Sequence, residues 1–141
     1  MKTVQELQIL IIDWAREKNI NNSDKQYLKI IEEAGETSRA ILHNDIPELK
    51  DGLGDIAVTV IIYYWQKNKP LNLKEREYIF HDHLCFREIF KDLSEMNPDP
   101  LNLLEIIAYN HSTTLKECLN LAWNEIKDRK GKTVNGTFIK N

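Results

Sequence analysis

Cysteine is scarce. Cys85 and Cys118 are the only two in 141 residues, far apart along the chain, so no disulfide scaffold is expected and a reducing cytoplasmic compartment is the default. Long apolar runs are missing as well. No stretch reaches the ~18 apolar residues of a membrane span, and Met1 to Glu6 lack the apolar core of a signal peptide; no membrane partner is expected. Neither sign of charge dominates, and a net charge of −3 gives no reason to expect nucleic-acid binding. Two catalytic frameworks are absent. No Glu-x-x-His pair occurs, which argues against a di-iron carboxylate bundle. Gly131-Lys132-Thr133 is not a phosphate-binding loop, because Ile126 stands where the earlier glycine is required and no strand precedes it.

What is present is an ordinary globular composition, 42% hydrophobic and 29% charged, enough for one domain over residues 1–141 with a single core. Val4, Leu7, Ile11 and Trp14 recur at helical spacing and predict a helix over about 3–18. A second runs to about His43 on Tyr27, Ile30, Ile31, Ala34, Ile41 and Leu42, with Ser23 or Asp24 as cap. A third is predicted over about 47–67, capped by Asp45. Its stretch Ile56 to Trp65 is β-branched and aromatic, so propensity alone favours a strand; helix is preferred because nothing interrupts the turn before it. A helix apolar all round must be buried all round, which in so small a chain suggests an oligomer interface. A fourth helix is expected over about 74–95, on which His81 and His83 would diverge and make poor co-ligands. Shorter helices follow over about 101–110 and 114–129, the latter capped by Ser112 or Thr113 and closed by Gly131. Asn135-Gly136 signals a hairpin turn. The expected fold is all-α, a bundle of about four main helices that completes its core by oligomerisation, with a short C-terminal hairpin or extended tail.

The most informative stretch runs from Lys29 to Asp55. Glu32 and Glu36 are four apart and Glu33 and Glu36 three apart, pairs that lie on one helix face, and Glu48, Asp51 and Asp55 fall within an arc of roughly 60° on the next helix. Such rows repel by a few tenths of a kcal/mol per pair when exposed and by far more when buried. A shared cation would relieve that strain, and oxygen-only ligands favour Mg²⁺, then Mn²⁺, with waters and phosphates completing the shell. The plain alternative is a pair of solvated acidic faces. Gly52 and Gly54 each cost about 1 kcal/mol in a helix and suggest close approach of a ligand or another helix. Lys29, on the acidic side, can pair with Glu32 or Glu33 or reach a phosphate. The segment Asn124-Glu125-Ile126-Lys127-Asp128-Arg129-Lys130 either complements its helix dipole or forms a phosphate clamp. Trp14 is either core or the wall of a base pocket.

Glu32-Glu33-Ala34-Gly35-Glu36 and Asp51-Gly52-Leu53-Gly54-Asp55 together resemble the MazG-like nucleotide pyrophosphohydrolases of the all-α NTP pyrophosphatase superfamily. That family pairs Glu-x-x-Glu on one helix with Glu-x-x-Asp on the next. Glu33, Glu36 and Asp55 match; Gly52 stands where the second pair has its Glu, so Asp51 or Glu48 would have to supply that oxygen. The stretch from Ala122 to Lys132, with Asn135-Gly136-Thr137-Phe138, is similar to the C-terminal end of the same proteins. The resemblance implies association as homodimers or homotetramers and Mg²⁺-dependent cleavage of a nucleoside triphosphate to a monophosphate and pyrophosphate. It implies a metal site drawn from Glu32, Glu33, Glu36, Glu48, Asp51 and Asp55, with Glu33, Glu36 and Asp55 catalytic. Lys29, Asn124, Lys127, Arg129 and Lys130 would hold phosphates, and Trp14 or Trp123 would face the base. The alternative is a non-catalytic nucleotide-binding or assembly module with a degenerate site.

Overall fold

The computed structural model describes residues 1–73 and 80–140. Six helices and one two-stranded hairpin are present among them: α1 (Val4–Glu17), α2 (Ser23–Leu42), α3 (Ile46–Gln66), α4 (Asp82–Glu95), α5 (Pro100–Asn110), α6 (Leu115–Ile126), β1 (Gly131–Val134) and β2 (Thr137–Lys140). The N-terminal ends follow from local chemistry. Thr3 and Glu6 form a reciprocal capping box on α1. Asn22, rather than Ser23 or Asp24, caps α2 by accepting from the Lys25 amide. Asp45 caps α3 through the Glu48 amide, with Pro47 in the first turn. Thr114, rather than Ser112 or Thr113, caps α6 through the Glu117 amide.

α3 organises the core. It packs most extensively against α2 and α6 and also touches α1 and α5. Its β-branched run is helical, and Ile56, Val58, Val60, Ile61 and Ile62 are all buried. The energetics explain why propensity lost. A β-branched residue gives up at most ~0.7 kcal/mol in a helix, whereas burying each such side chain returns about 1.5–3 kcal/mol. The apolar circumference of α3 is covered by four helices of its own chain, so it does not call for a partner subunit. Burial of α3 on every side therefore needs no oligomer.

Gly52 and Gly54 set how closely α3 is approached. A Cβ on Gly52 would collide with the Thr37 hydroxyl of α2 and lie 3.0 Å from Thr37 Cβ; one on Gly54 would collide with the Cys118 carbonyl of α6 and lie 3.0 Å from Ala122 Cβ. Both glycines therefore answer to neighbouring helices.

The expected start of the fourth helix near Lys74 lies outside the described residues. α4 itself begins at Asp82 with His81 as its cap residue, so His81 is not helical, and its ring stacks on His83 with centroids 6.1 Å apart. The α4–α5 turn is pinned to α3 by the Tyr64 hydroxyl, which donates to the Asn97 carbonyl at 2.5 Å. α6 stops at Ile126 with Lys127 as its cap, earlier than Arg129, and Gly131 opens β1 instead of closing the helix. Asn135 (φ 50°) and Gly136 (φ 77°) make the hairpin turn, the primed geometry that matches strand twist, in the register Thr133↔Phe138 and Val134↔Thr137.

The hairpin folds back on the α1–α2 connection. Gly136 carbonyl accepts from the Asn21 and Asn22 amides at 3.0 and 3.1 Å, Asn22 Nδ2 donates to the Asn135 carbonyl, and the Thr133 hydroxyl donates to the Lys18 carbonyl. Phe138 is buried and meets Trp14 edge-on at 5.2 Å. Phe138→Ala is expected to cost about 2–3 kcal/mol, somewhat under the ~3–5 of a full core phenylalanine because a hairpin can relax. A urea midpoint unchanged from wild type would mean that this docking carries no stability.

Candidate active site

One cleft, about 330 Å³ in volume, gathers most of the acids singled out above. Its lining includes Glu32, Glu33 and Glu36 from α2 and Asp55 from α3, together with Lys29, Arg129, Lys140 and Glu125, and Trp14, Ile20, Val58, Ile62, Ile126 and Phe138 as its apolar part. The helical spacing explains the acid row: residues 29, 32, 33 and 36 share one face of α2, and that face meets the Asp55 side of α3.

The electrostatics of the cleft are uncomfortable. Burial is the main reason that Glu33 is pushed up to about 7, with Asp55, Glu36 and Glu32 adding to the effect. Burial also pushes Asp55 up to about 7; Glu125 is the strongest charge acting in the same direction, followed by Asp51, while Arg129 opposes. Glu33 Oε2 is buried without a hydrogen-bond partner. Five carboxylates face three cationic side chains, and Lys29 already donates to the Phe138 carbonyl at 3.3 Å. Among the described residues no group of three or more His, Cys, Asp or Glu is gathered closely enough to hold a metal ion. Unneutralised carboxylates tend to spread apart, so the cleft is a set of donors without a closed cage.

Residues 22–77 match the family model for the MazG nucleotide pyrophosphohydrolase domain. No curated protein and no solved structure matches the chain. The MazG match covers α2 and α3, and with them Glu32, Glu33, Glu36 and Asp55. The family is one of nucleotide pyrophosphohydrolases, a class of hydrolase. Glu125, Arg129, Phe138 and Lys140 come to the cleft from outside the matched segment.

Of the residues singled out from sequence, Trp14, Lys29, Glu32, Glu33, Glu36, Asp55 and Arg129 line this cleft. Six others do not. Glu48 lines a neighbouring groove with Glu36, Arg39, His43 and Asp45. Asp51 is half-buried one turn before Asp55. Trp123 packs partly buried against the core. Asn124 faces a groove with Lys2, Glu117 and Leu121, and Lys127 and Lys130 are exposed. Glu125, Phe138 and Lys140 were missed. Their signals existed: Glu125 is four residues before Arg129, hence on its helix face, and 138 and 140 share one face of a strand.

The donor chemistry suits a hard divalent cation. All the candidate ligands are carboxylate oxygens, they outnumber the local cations, and one buried oxygen has no donor to satisfy it.

Proposed function

We propose that this chain hydrolyses a nucleoside triphosphate to the monophosphate and pyrophosphate, using Mg²⁺ or Mn²⁺. The observation that carries the reading is that the α2 and α3 carboxylates open into one cleft that also holds three cationic side chains and an aromatic pair. Glu32, Glu33, Glu36 and Asp55 would hold the cation, which when bound neutralises phosphate charge and polarises the scissile bond. Lys29, Arg129 and Lys140 supply point and forked charges for phosphate oxygens. Trp14 and Phe138 supply an apolar end suited to a nucleobase. Glu33, half-buried and with Oε2 free of any donor, suits the proton of the attacking water. Water oxygen bonds to the α-phosphorus, the bond to the α–β bridging oxygen breaks, pyrophosphate leaves, and Glu33 takes the proton.

Homodimers or homotetramers acting in the cytoplasm form part of the same proposal. Among the described residues no helix is long and apolar enough to cross a membrane.

Purified chain with Mg²⁺ and a panel of NTPs and dNTPs is expected to release pyrophosphate and a monophosphate in equal amounts. Release of orthophosphate alone would place the cut elsewhere and overturn the assignment. The rival reading, a non-catalytic nucleotide-binding or assembly module, draws on Gly52, which leaves α3 short of a carboxylate. Calorimetry with a non-hydrolysable dNTP, read beside turnover, separates the two: binding without turnover would favour the rival.

A further inference from the structure

The cleft contains one carboxylate that neither acidic helix provides. α3 contributes only Asp55, because the position one turn earlier on its face is Gly52, and the space a side chain would need there is filled by Thr37. From the other side comes α6. Gly54 lets α6 approach α3 until the Cys118 carbonyl and Ala122 sit against the glycine. Asp55 follows Gly54 directly, and Glu125 lies three residues past Ala122, on the same face of α6. The tight Gly54–Ala122 contact therefore brings Asp55 and Glu125 to the same cleft wall, where both line the cavity.

Glu125 has no evident structural employment there. It is exposed. Arg129 is one turn on and lines the same cleft, yet among the described residues neither has an ion-pair partner. An exposed glutamate one turn from an arginine usually has the choice of pairing with it, and here the carboxylate stays with the acids.

We propose that Glu125 is a cation-holding residue of this site, supplied by α6 to a cleft into which α3 brings the single carboxylate of Asp55. The proposal rests on the reading of the cleft as a divalent-cation and phosphate site, and it extends the ligand set beyond the two helices of the matched segment.

The test is titration of Mn²⁺ into the full chain without nucleotide, following loss of the free-ion paramagnetic signal. Wild type is expected to bind. Glu125→Gln is expected to weaken binding by at least about tenfold, the lower end of what losing even an outer partner of a metal site costs. Asp128→Asn, an equal loss of charge on an exposed residue outside the cleft, is expected to stay within about twofold of wild type, since screened surface charges contribute little. Because Glu125 is exposed, circular dichroism of Glu125→Gln should match wild type. Equal Mn²⁺ affinity in wild type and Glu125→Gln overturns the proposal while leaving the cation site standing. The same holds if only the KM for nucleotide rises, which would make Glu125 a positioning residue for Arg129. Absence of Mn²⁺ binding by wild type overturns the underlying reading and the proposal with it.

Discussion

Asp55→Asn is expected to abolish pyrophosphate release and, at the same time, to make the protein harder to melt. The two effects have one origin. The Asp55 carboxylate, proposed to hold a cation, is without one a partly desolvated charge among like charges. Its folded-state value is raised from 3.8 to about 7, above the unfolded value. Such a group leaves stability intact below about pH 4 and erodes it as pH rises toward 7, because the unfolded chain releases the proton first. Glu33, raised from 4.5 to about 7, behaves in the same way. After discounting for solvent screening at a partly exposed site, the penalty for Asp55 is of order 1–2 kcal/mol above pH 7. For a chain of this size that corresponds to a rise of roughly 3–6 °C in the melting midpoint of Asp55→Asn at pH 8. At pH 5 the gain should be smaller, since native Asp55 then already carries a proton. Adding Mg²⁺ should reverse the order, raising wild type and leaving the variant unmoved. Turnover should fall by about 10²–10³-fold or more, the scale seen when one charge-stabilising group is removed. A variant that is inactive but no more stable than wild type at pH 8 would show that Asp55 is not strained in the folded state.

Gly54→Ala is expected to be strongly destabilising for the addition of a single methyl. The new Cβ would overlap the Cys118 carbonyl and press on Ala122, which are backbone and a side chain with no freedom to rotate away. α3 and α6 would have to separate along their contact. Overpacking of this kind costs typically 1–3 kcal/mol, and backbone contact puts the expectation near ~3, against a helix-propensity gain for alanine of about 1 kcal/mol. A net loss of roughly 2 kcal/mol should lower the melting midpoint by about 6–8 °C. Mn²⁺ affinity should fall too, since Asp55 and Glu125 reach the cleft across this contact. Wild-type stability in Gly54→Ala would mean that the two helices can slide without cost.

The helices were legible wherever a period governs them, and Asp45 and Pro47 sit where the local rules require, whereas the caps of α2 and α6 fall one residue away from the expected ones, at Asn22 and Thr114. α3 was legible despite its strand-like residues because Asp45 and the unbroken acidic turn fixed its start. What could not be read was who covers it. The sequence pattern demanded burial on every side but could not distinguish α1, α2, α5 and α6 from another subunit. The cleft divided along the same line. Glu32, Glu33, Glu36 and Asp55 were visible because helical spacing is local. Glu125, Phe138 and Lys140 were not, because their presence depends on Gly54 meeting Ala122 and on Gly136 meeting Asn21 and Asn22, contacts more than 60 residues apart in sequence. The misplaced basic residues share a cause. The basic run reads as continuous helix, but α6 ends at Ile126, and of the run's basic side chains Arg129 is the one that lines the cleft.

α4 and α5 contribute no residue to the cleft lining; they pack on each other, and α5 on α3. Chemistry and ballast are thus carried by different stretches of the same chain. Substitutions in α4 and α5 can reach the cleft only through α3 and α6, on which α5 packs, so the outer surface of that pair is free to drift in composition while the acids stay where they are.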